Sequence, residues 1–576
     1  MKNFFTALLL FFINVNVYAA VTDDIQRNID SHYNELIRQQ EIDNRTNFIK
    51  DSYKEPQYEP ANNTAKTNKK QFKKIEITNS DIPGVSQSAI NNVLDLYKQK
   101  MMGIQEISEI QEKLQKLFFD AGYASARVYI DGNTLNDDIL TFVVMDGYIE
   151  DVVFQNAAGK KYPKFFNALQ SFSFYPFAAG SLLNIADIDQ GLEQMNRLAS
   201  NNASMEILPA SKDGYSVIRV TNDIGKRFNL SFSADNSGTE NTGYYKAGVS
   251  ISADNLLMLN DNLYFNYSRN IDGNKDDKRN NGYFASFSVP FGYFTFMTSF
   301  FKSDYNTPMG VSFGSQYVSD GTTQNENASL EVIVKRGQTY KISLGGELSV
   351  KETENFIDNI RIDASSKKLT VSSGFLTFLY YLNASSIYGK LSYNCGLNWL
   401  GAIKNYDIEG SPKGQFSSVS LYTQYSQYFK IPLIQLQSKY ALTANGHYCD
   451  DILYSSEQIS IGGQSSVRGF KEGSVNGEKG FYLKNDLTWT LADIFQRNGI
   501  FNVLAYTSIS GFADYGYVQN LAYKEKYSLA GAGAGAAFRA KYINAGVYWS
   551  RSVYNKSHLP NEGDVVYFNI EGKIYF

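Results

Sequence analysis

The sequence predicts a membrane β-barrel of about 16 antiparallel strands, preceded by two small α+β units and an N-terminal helix. Three observations carry this. From residue 226 to Phe576 apolar residues recur with a period of two. Aromatics make up 15% of the 576 residues, with 42 Tyr and 39 Phe against 3 Trp, a load that suits interfacial girdles. Residues 72–222 repeat one element order twice.

The first 19 residues read as a secretory signal. Lys2 is followed by an apolar run, Phe4 to Val17, and Val17-Tyr18-Ala19 offers a cleavage site after Ala19. A helical anchor is the alternative, but the run is short of the roughly 20 residues a span needs. Residues 20–50 contain a helix candidate. Ile25, Ile29, Tyr33, Leu36, Ile37 and Gln40 fall on one stripe, with Asp23, Asp24, Arg27, Asp30, Glu35, Arg38 and Glu41 on the other faces. Two readings stay open from these residues: a surface helix, or a helix resting in a watery pore. Residues 51–71 carry Pro56, Pro60, Asn62, Asn63 and Lys69-Lys70 with almost no apolar content, so they read as a flexible linker.

The first repeat spans 72–146. It opens with a strand at 72–78, then helices near 87–98 and 105–120, then strands at 124–131 and 138–145. Ile107, Ile110, Leu114, Leu117 and Phe118 share a helix face, and Gly122 ends that helix. The second repeat, 147–222, starts at Gly147-Tyr148. Its second helix carries Ile188, Leu192, Met195 and Leu198, and strands near 203–208 and 214–221 close it. A sheet edge in such a unit has unpaired N–H and C=O groups that an extended chain can join.

In the barrel segment, 226–576, Phe228, Leu230, Phe232 and Ala234 alternate with Arg227, Asn229, Ser231, Ser233 and Asp235. Leu263, Phe265 and Tyr267 alternate with polar neighbours. Tyr283, Ala285, Phe287 and Val289 alternate with Phe284, Ser286 and Ser288. In the last strand Phe568, Ile570, Gly572, Ile574 and Phe576 face one way, and Tyr567, Asn569, Glu571, Lys573 and Tyr575 the other. A lysine in mid-membrane costs about 2–4 kcal/mol, so Glu571 and Lys573 belong to a watery lumen. A soluble β-sandwich also alternates, but the signal and the aromatic load oppose it. Sixteen strands would take roughly 22 residues each, loops included. Mean hydropathy is only -0.32, as expected when strands, not helices, cross the bilayer.

The formal net charge of -4 argues against a nucleic-acid partner. No nucleophile elbow, P-loop or H-E-x-x-H string occurs, so no enzyme and no cofactor are expected. His32, His447 and His558 with Cys395 and Cys449 show no metal-ligand spacing. An oxidising compartment permits a disulfide between the two cysteines, although a further strand separates them.

One string stands out: Gly462-Gly463-Gln-Ser-Ser-Val467-Arg468-Gly469-Phe470, in a long Gly/Ser-rich stretch. An arginine there is ordinarily solvated, and Asp514 in Gly511-Phe-Ala-Asp514-Tyr-Gly516 can be read as the end of a strand. Gly469 permits a turn where a Cβ would clash.

Taken in order, several strings resemble the two-partner secretion outer-membrane transporters, the TpsB family of haemolysin secretion/activation proteins. Val467-Arg-Gly-Phe470 looks like the family's loop-six motif. Asp235-Asn-Ser-Gly238 looks like its first outer loop, Val289-Pro-Phe-Gly292 like an inner turn, and Gly477-Glu-Lys-Gly480 precedes a strand with Asn485-Asp486-Leu487. The repeats resemble POTRA domains, and Ile185-Ala-Asp-Ile-Asp-Gln-Gly-Leu-Glu-Gln-Met-Asn-Arg-Leu198 resembles the family's second POTRA helix. The first unit departs at Tyr129-Ile-Asp-Gly-Asn133, where the family has a Pro-x-Gln element.

The resemblance implies a plug helix at 20–50, POTRA domains at 72–146 and 147–222, and a bacterial outer-membrane barrel with the POTRA domains in the periplasm. It pairs Arg468 with Asp514 inside the lumen and makes Phe576 a barrel-assembly signal read by the assembly machinery. It implies a large β-helical exoprotein partner, held through its N-terminal secretion domain and exported past the surrounding lipid: an adhesin, a haemolysin or a contact-dependent toxin. Two other functions share these features: a barrel-assembly insertase of the same superfamily, and a passive solute porin.

Overall fold

The computed structural model describes residues 69–576 except 124, 135–137, 164–168, 170–172, 174, 176, 239–242, 273–277, 313–314, 338, 364, 433–435, 472 and 492–505. The expected signal peptide, plug helix and nearly all of the linker lie outside the described residues.

The first unit contains β1 (Lys70–Gln71), β2 (Lys74–Thr78), α1 (Gln87–Asp95), β3 (Met101–Met102), α2 (Ile104–Asp120), β4 (Arg127–Ile130) and β5 (Ile139–Met145). β2 runs parallel to β5, and β4 pairs antiparallel with β5 on its other side. The face read on α2 is its core face. Ile110, Leu114 and Phe118 are fully buried against Leu140 and Phe142, with Ile107 and Leu117 packed at the margin. Gly122, at φ +95°, ends the helix region. One expectation is corrected: Lys70–Gln71, assigned to the linker, pairs with Met101–Met102. The ladder, with Lys69 on Glu106, gives these polar residues partners that composition does not reveal.

The second unit contains β6 (Tyr148–Gln155), α3 (Ile185–Asn196), β7 (Ala203–Pro209) and β8 (Tyr215–Asn222). Again the first strand runs parallel to the last, with β7 at the edge. Ile188, Leu192 and Met195 fill its core with Phe154 and Ile218.

The barrel follows. Its strands are β9 (Phe228–Asp235), β10 (Lys246–Asp254), β11 (Asn262–Asn270), β12 (Arg279–Phe291), β13 (Phe294–Ser312), β14 (Ser315–Arg336) and β15 (Tyr340–Ile357). The short β16 (Ile360–Arg361) only extends a hairpin on β15. Then come β17 (Lys367–Leu382), β18 (Ser385–Leu397), β19 (Ser417–Ile431) and β20 (Leu436–Cys449). A small hairpin, β21 (Ile459–Ile461) and β22 (Val475–Gly477), stands apart as its own sheet. β23 (Lys479–Thr490), β24 (Thr507–Asn520), β25 (Glu525–Arg539), β26 (Ile543–Lys556) and β27 (Asp564–Tyr575) complete the wall. Among the described residues sixteen long antiparallel strands close into one barrel, with β27 hydrogen-bonded to β9. No helix of the described residues is long and apolar enough to cross a membrane.

The period-two pattern sorts as expected. Phe232, Leu263, Phe265, Ile570 and Ile574 stand exposed on the outside, while Ser231, Ser286, Ser288 and Tyr567 are buried inside. Lys573 pairs with Glu571 at 3.2 Å on the inner face. The seam is continuous. Phe228 and Phe576 exchange backbone bonds and stack at 5.6 Å. Asn236, from the first outer loop, donates to the Val566 carbonyl and accepts from the Phe568 amide, both at 2.8 Å.

The two cysteines are free. Cys395 pairs with Ser417 and Cys449 with Ser418, so one strand, β19, separates them. Adjacent residues of a strand point to opposite faces. Cys449 is therefore buried on the inner face and Cys395 lies on the outer one, a geometry no disulfide can span.

Candidate functional site: a loop pinned inside the barrel

The chain between β20 and β23 leaves the outer rim and folds back into the lumen. It places an apolar cluster where water would otherwise stand. Ile459, Ile461, Val467, Phe470 and Val475 pack against Val518, Tyr527 and Leu529 of the wall. Val467 and Phe470 are both fully buried. Burying a Val or Phe side chain contributes about 1.5–3 kcal/mol, so this cluster is the loop's main mooring.

The segment 462–470 is closed on itself. The Ser466 hydroxyl accepts from the Gly462 amide at 3.0 Å and donates to the Gly462 carbonyl at 2.9 Å. The Gly463 amide reaches the Phe470 carbonyl at 2.6 Å. Gly469 has φ +101°, and a Cβ there would lie 2.7 Å from the Arg551 carbonyl carbon. Conformation and close approach both require glycine.

This closure aims Arg468 at the wall. Its Nε and Nη2 donate to the two carboxylate oxygens of Asp514, each at 2.6 Å. Its backbone amide also donates to Asp514, at 3.1 Å. The third nitrogen, Nη1, donates to Asp486 on β23 at 2.7 Å. The guanidinium lies 3.6 Å from the centre of the Phe512 ring. Arg468 is 7% exposed and Asp514 3%. A buried charge left alone costs several kcal/mol, so the fork and its two acids form one unit.

Asp514 does not end a strand. It lies inside β24, opposite Gly531 of β25. A Cβ on Gly531 would fall 1.7 Å from the Arg468 carbonyl oxygen, and one on Gly516 would meet Ile461 and Val467. The inward glycines therefore carve the niche that receives the loop. Asp486, Phe512 and Gly531 complete the site, and the sequence reading assigned none of them. Their signals were present: Asp486 stands in a quoted string, and Ala530-Gly531-Ala532-Gly533-Ala534-Gly535 alternates with the strand period.

The second unit is docked under the barrel by α3. Gln190 donates to the Gly292 carbonyl at 2.9 Å and accepts from Arg336 at 2.6 Å. Glu193 pairs with Arg336 and Lys341, at 2.5 and 2.6 Å. Arg197 donates to Ser288 at 2.6 Å and to the Asn260 carbonyl at 2.7 Å. The apolar face of α3 fills its own unit's core, and its polar residues grip the inner turns. No group of His, Cys, Asp or Glu among the described residues could hold a metal ion.

A closed barrel, two small units beneath it and a loop pinned in its lumen define an outer-membrane transporter whose small units stand in the periplasm. Family models agree along the chain. Residues 72–147 match the ShlB-type POTRA domain, 148–209 a POTRA domain, and 214–538 the haemolysin secretion/activation protein ShlB/FhaC/HecB. The outer membrane transporter CdiB of Dickeya dadantii is 29% identical over 68% of this chain and 68% of its own. The hemolysin transporter protein ShlB of Serratia marcescens is 28% identical over 66% of each. The solved CdiB from Escherichia coli shares the fold, with a TM-score of 0.84 at 22% identity, covering 96% of this chain and 98% of that one.

The chain belongs to the haemolysin secretion/activation protein family ShlB/FhaC/HecB. It is an outer-membrane transporter of two-partner secretion, with a secreted exoprotein as its partner. The insertase and porin alternatives are not favoured.

Proposed function

We propose that this transporter exports one large β-helical exoprotein, with Arg468 and Asp514 holding loop 450–478 as an internal strut of the pore. The carrying observation is the two-point fork of Arg468 on Asp514 within the lumen. In the resting state the strut keeps the outer half of the channel structured. The client's N-terminal secretion domain adds to an exposed POTRA edge, for which β7 is suited because only one of its sides is paired. A plug helix at 20–50 leaves the lumen on the 51–68 leash, and the client threads outward. Folding beyond the membrane then prevents return, and no nucleotide is needed.

Deleting the gene for this chain and comparing the secreted proteins and outer-membrane barrels tests this reading. Loss of one large exoprotein with normal barrel levels is expected. A general fall in other barrels would indicate an insertase, and an unchanged secretome would overturn the proposal.

A further inference from the structure

The lumenal loop has a second attachment, on strands β15 and β17 of the wall. Glu457, in the 3-10 turn Ser455–Glu457, accepts from Lys351 of β15 at 2.8 Å. The Glu457 side chain is 9% exposed and that of Lys351 26%. Beside it, Lys367 of β17 lies over the Tyr454 ring at 5.3 Å and donates to Ser455 at 3.3 Å. Lys351 and Lys367 stand toward the outer ends of their strands and share the inner face through the Lys351–Leu369 register.

Both ends of the same short segment are clipped to Glu478, beside β23. Glu478, fully buried, accepts from the Gln458 side chain at 2.6 Å, the Leu453 amide at 3.3 Å and the Leu521 amide at 2.7 Å. Leu521 follows β24, and Glu478 directly precedes β23. Residues 453–458 are thus tied at both ends, through Glu478, to the β23–β24 wall and, through Glu457 near the C-terminal end, to β15. Four strands, β17 to β20, stand between those walls. Leu453 is buried against Val371 of β17, Phe416 and Cys449, so the segment lies along this part of the inner wall near the outer rim.

The two ties differ in kind. Glu478 is a buried carboxylate satisfied by neutral donors, and it is built into the wall. The Lys351–Glu457 ion pair, flanked by the Lys367 contacts, keeps part of the lysine in water, so its rupture costs less than that of a fully buried charge.

We propose that Lys351 and Glu457 form a releasable latch that holds this part of the lumenal loop against β15, with Glu478 as its hinge clip. These are positioning residues: they act on the path through the loop. The inference rests on the export reading, and its test separates the two.

Single channels of the full-length protein are recorded in planar bilayers for wild type, Lys351→Glu, Glu457→Lys and the double exchange, with heat-modifiable migration checking that each barrel is folded. Each single reversal should raise the open fraction roughly three- to tenfold, the range expected for losing a partly buried pair, and the exchange should bring it back near wild type. A merely structural role would not produce rescue by exchange. Unchanged gating in the single variants, or a double variant as open as they are, overturns the latch. If wild type meanwhile exports its partner, the export reading stands without the latch.

Discussion

At the residue scale, the central feature is one guanidinium with three acceptor oxygens and an aromatic face. Each nitrogen of the Arg468 fork is directed. Nε and Nη2 take Asp514, and Nη1 takes Asp486. A lysine supplies a point charge and cannot match this geometry. Arg468→Lys is therefore expected to export at well under half the wild-type level despite its conserved charge, as measured by secreted client per folded barrel. Wild-type export by that variant would remove the fork from the account. Gly531→Val gives an independent approach to the same contact, because its side chain would enter the space of the Arg468 carbonyl. It should yield a folded barrel whose loop is unseated, seen as protease cleavage within 462–475 that wild type resists. The Arg468–Asp514 partnership was legible only through the resemblance of both strings to the family's; the residues alone left Asp514 open as a strand end. Asp486 was not, since carboxylates are common along the wall and only the register of β23 with β24 brings this one beside Phe512.

At the scale of elements, the informative piece is α3. Its apolar positions followed from helical spacing, and they do fill the second POTRA core. The other face, Asp187, Gln190, Glu193, Gln194 and Arg197, would pass for a solvated surface, yet it grips the inner turns of the barrel. Nothing in a single helix tells a solvated charge from one that meets a distant turn. Glu193 neutralises Arg336, whose side chain is 3% exposed. Removing one partner of a buried pair costs about 3–5 kcal/mol. Glu193→Ala should loosen the second unit from the barrel and speed proteolysis at the 223–227 connection, while the barrel itself keeps its heat-resistant migration. Equal cleavage rates would show that α3 is not the main tie. The cysteines teach the same lesson about register. Their strands were separable in the sequence, but the opposite facing of Cys395 and Cys449 depends on the pairing of Ser417 and Ser418 across β19.

At the scale of the whole molecule, the barrel is a closed wall with its obstruction inside. The β9–β27 seam is paired along its length, capped by Asn236 at the outer end and by Phe228 on Phe576 at the inner end. The proposed passage therefore runs through the lumen, not through a parted wall. Ser231 and Lys573 face each other across this seam. Replacing both with cysteine should permit a disulfide, since directly opposed antiparallel residues lie about 4.5–5.5 Å apart. Export by the oxidised protein should match that of the reduced protein, compared with and without reductant. Export that needs the reductant would mean that the seam opens.

The most direct measurement of the central claim is export by Arg468→Ala, scored as client outside the cell per folded transporter in the outer membrane. The account predicts a barrel at normal abundance and a drop in export on the order of tenfold or more, because Asp514 is left buried without its partner and the strut is lost. Normal export by that variant, with the barrel equally abundant, would contradict the account.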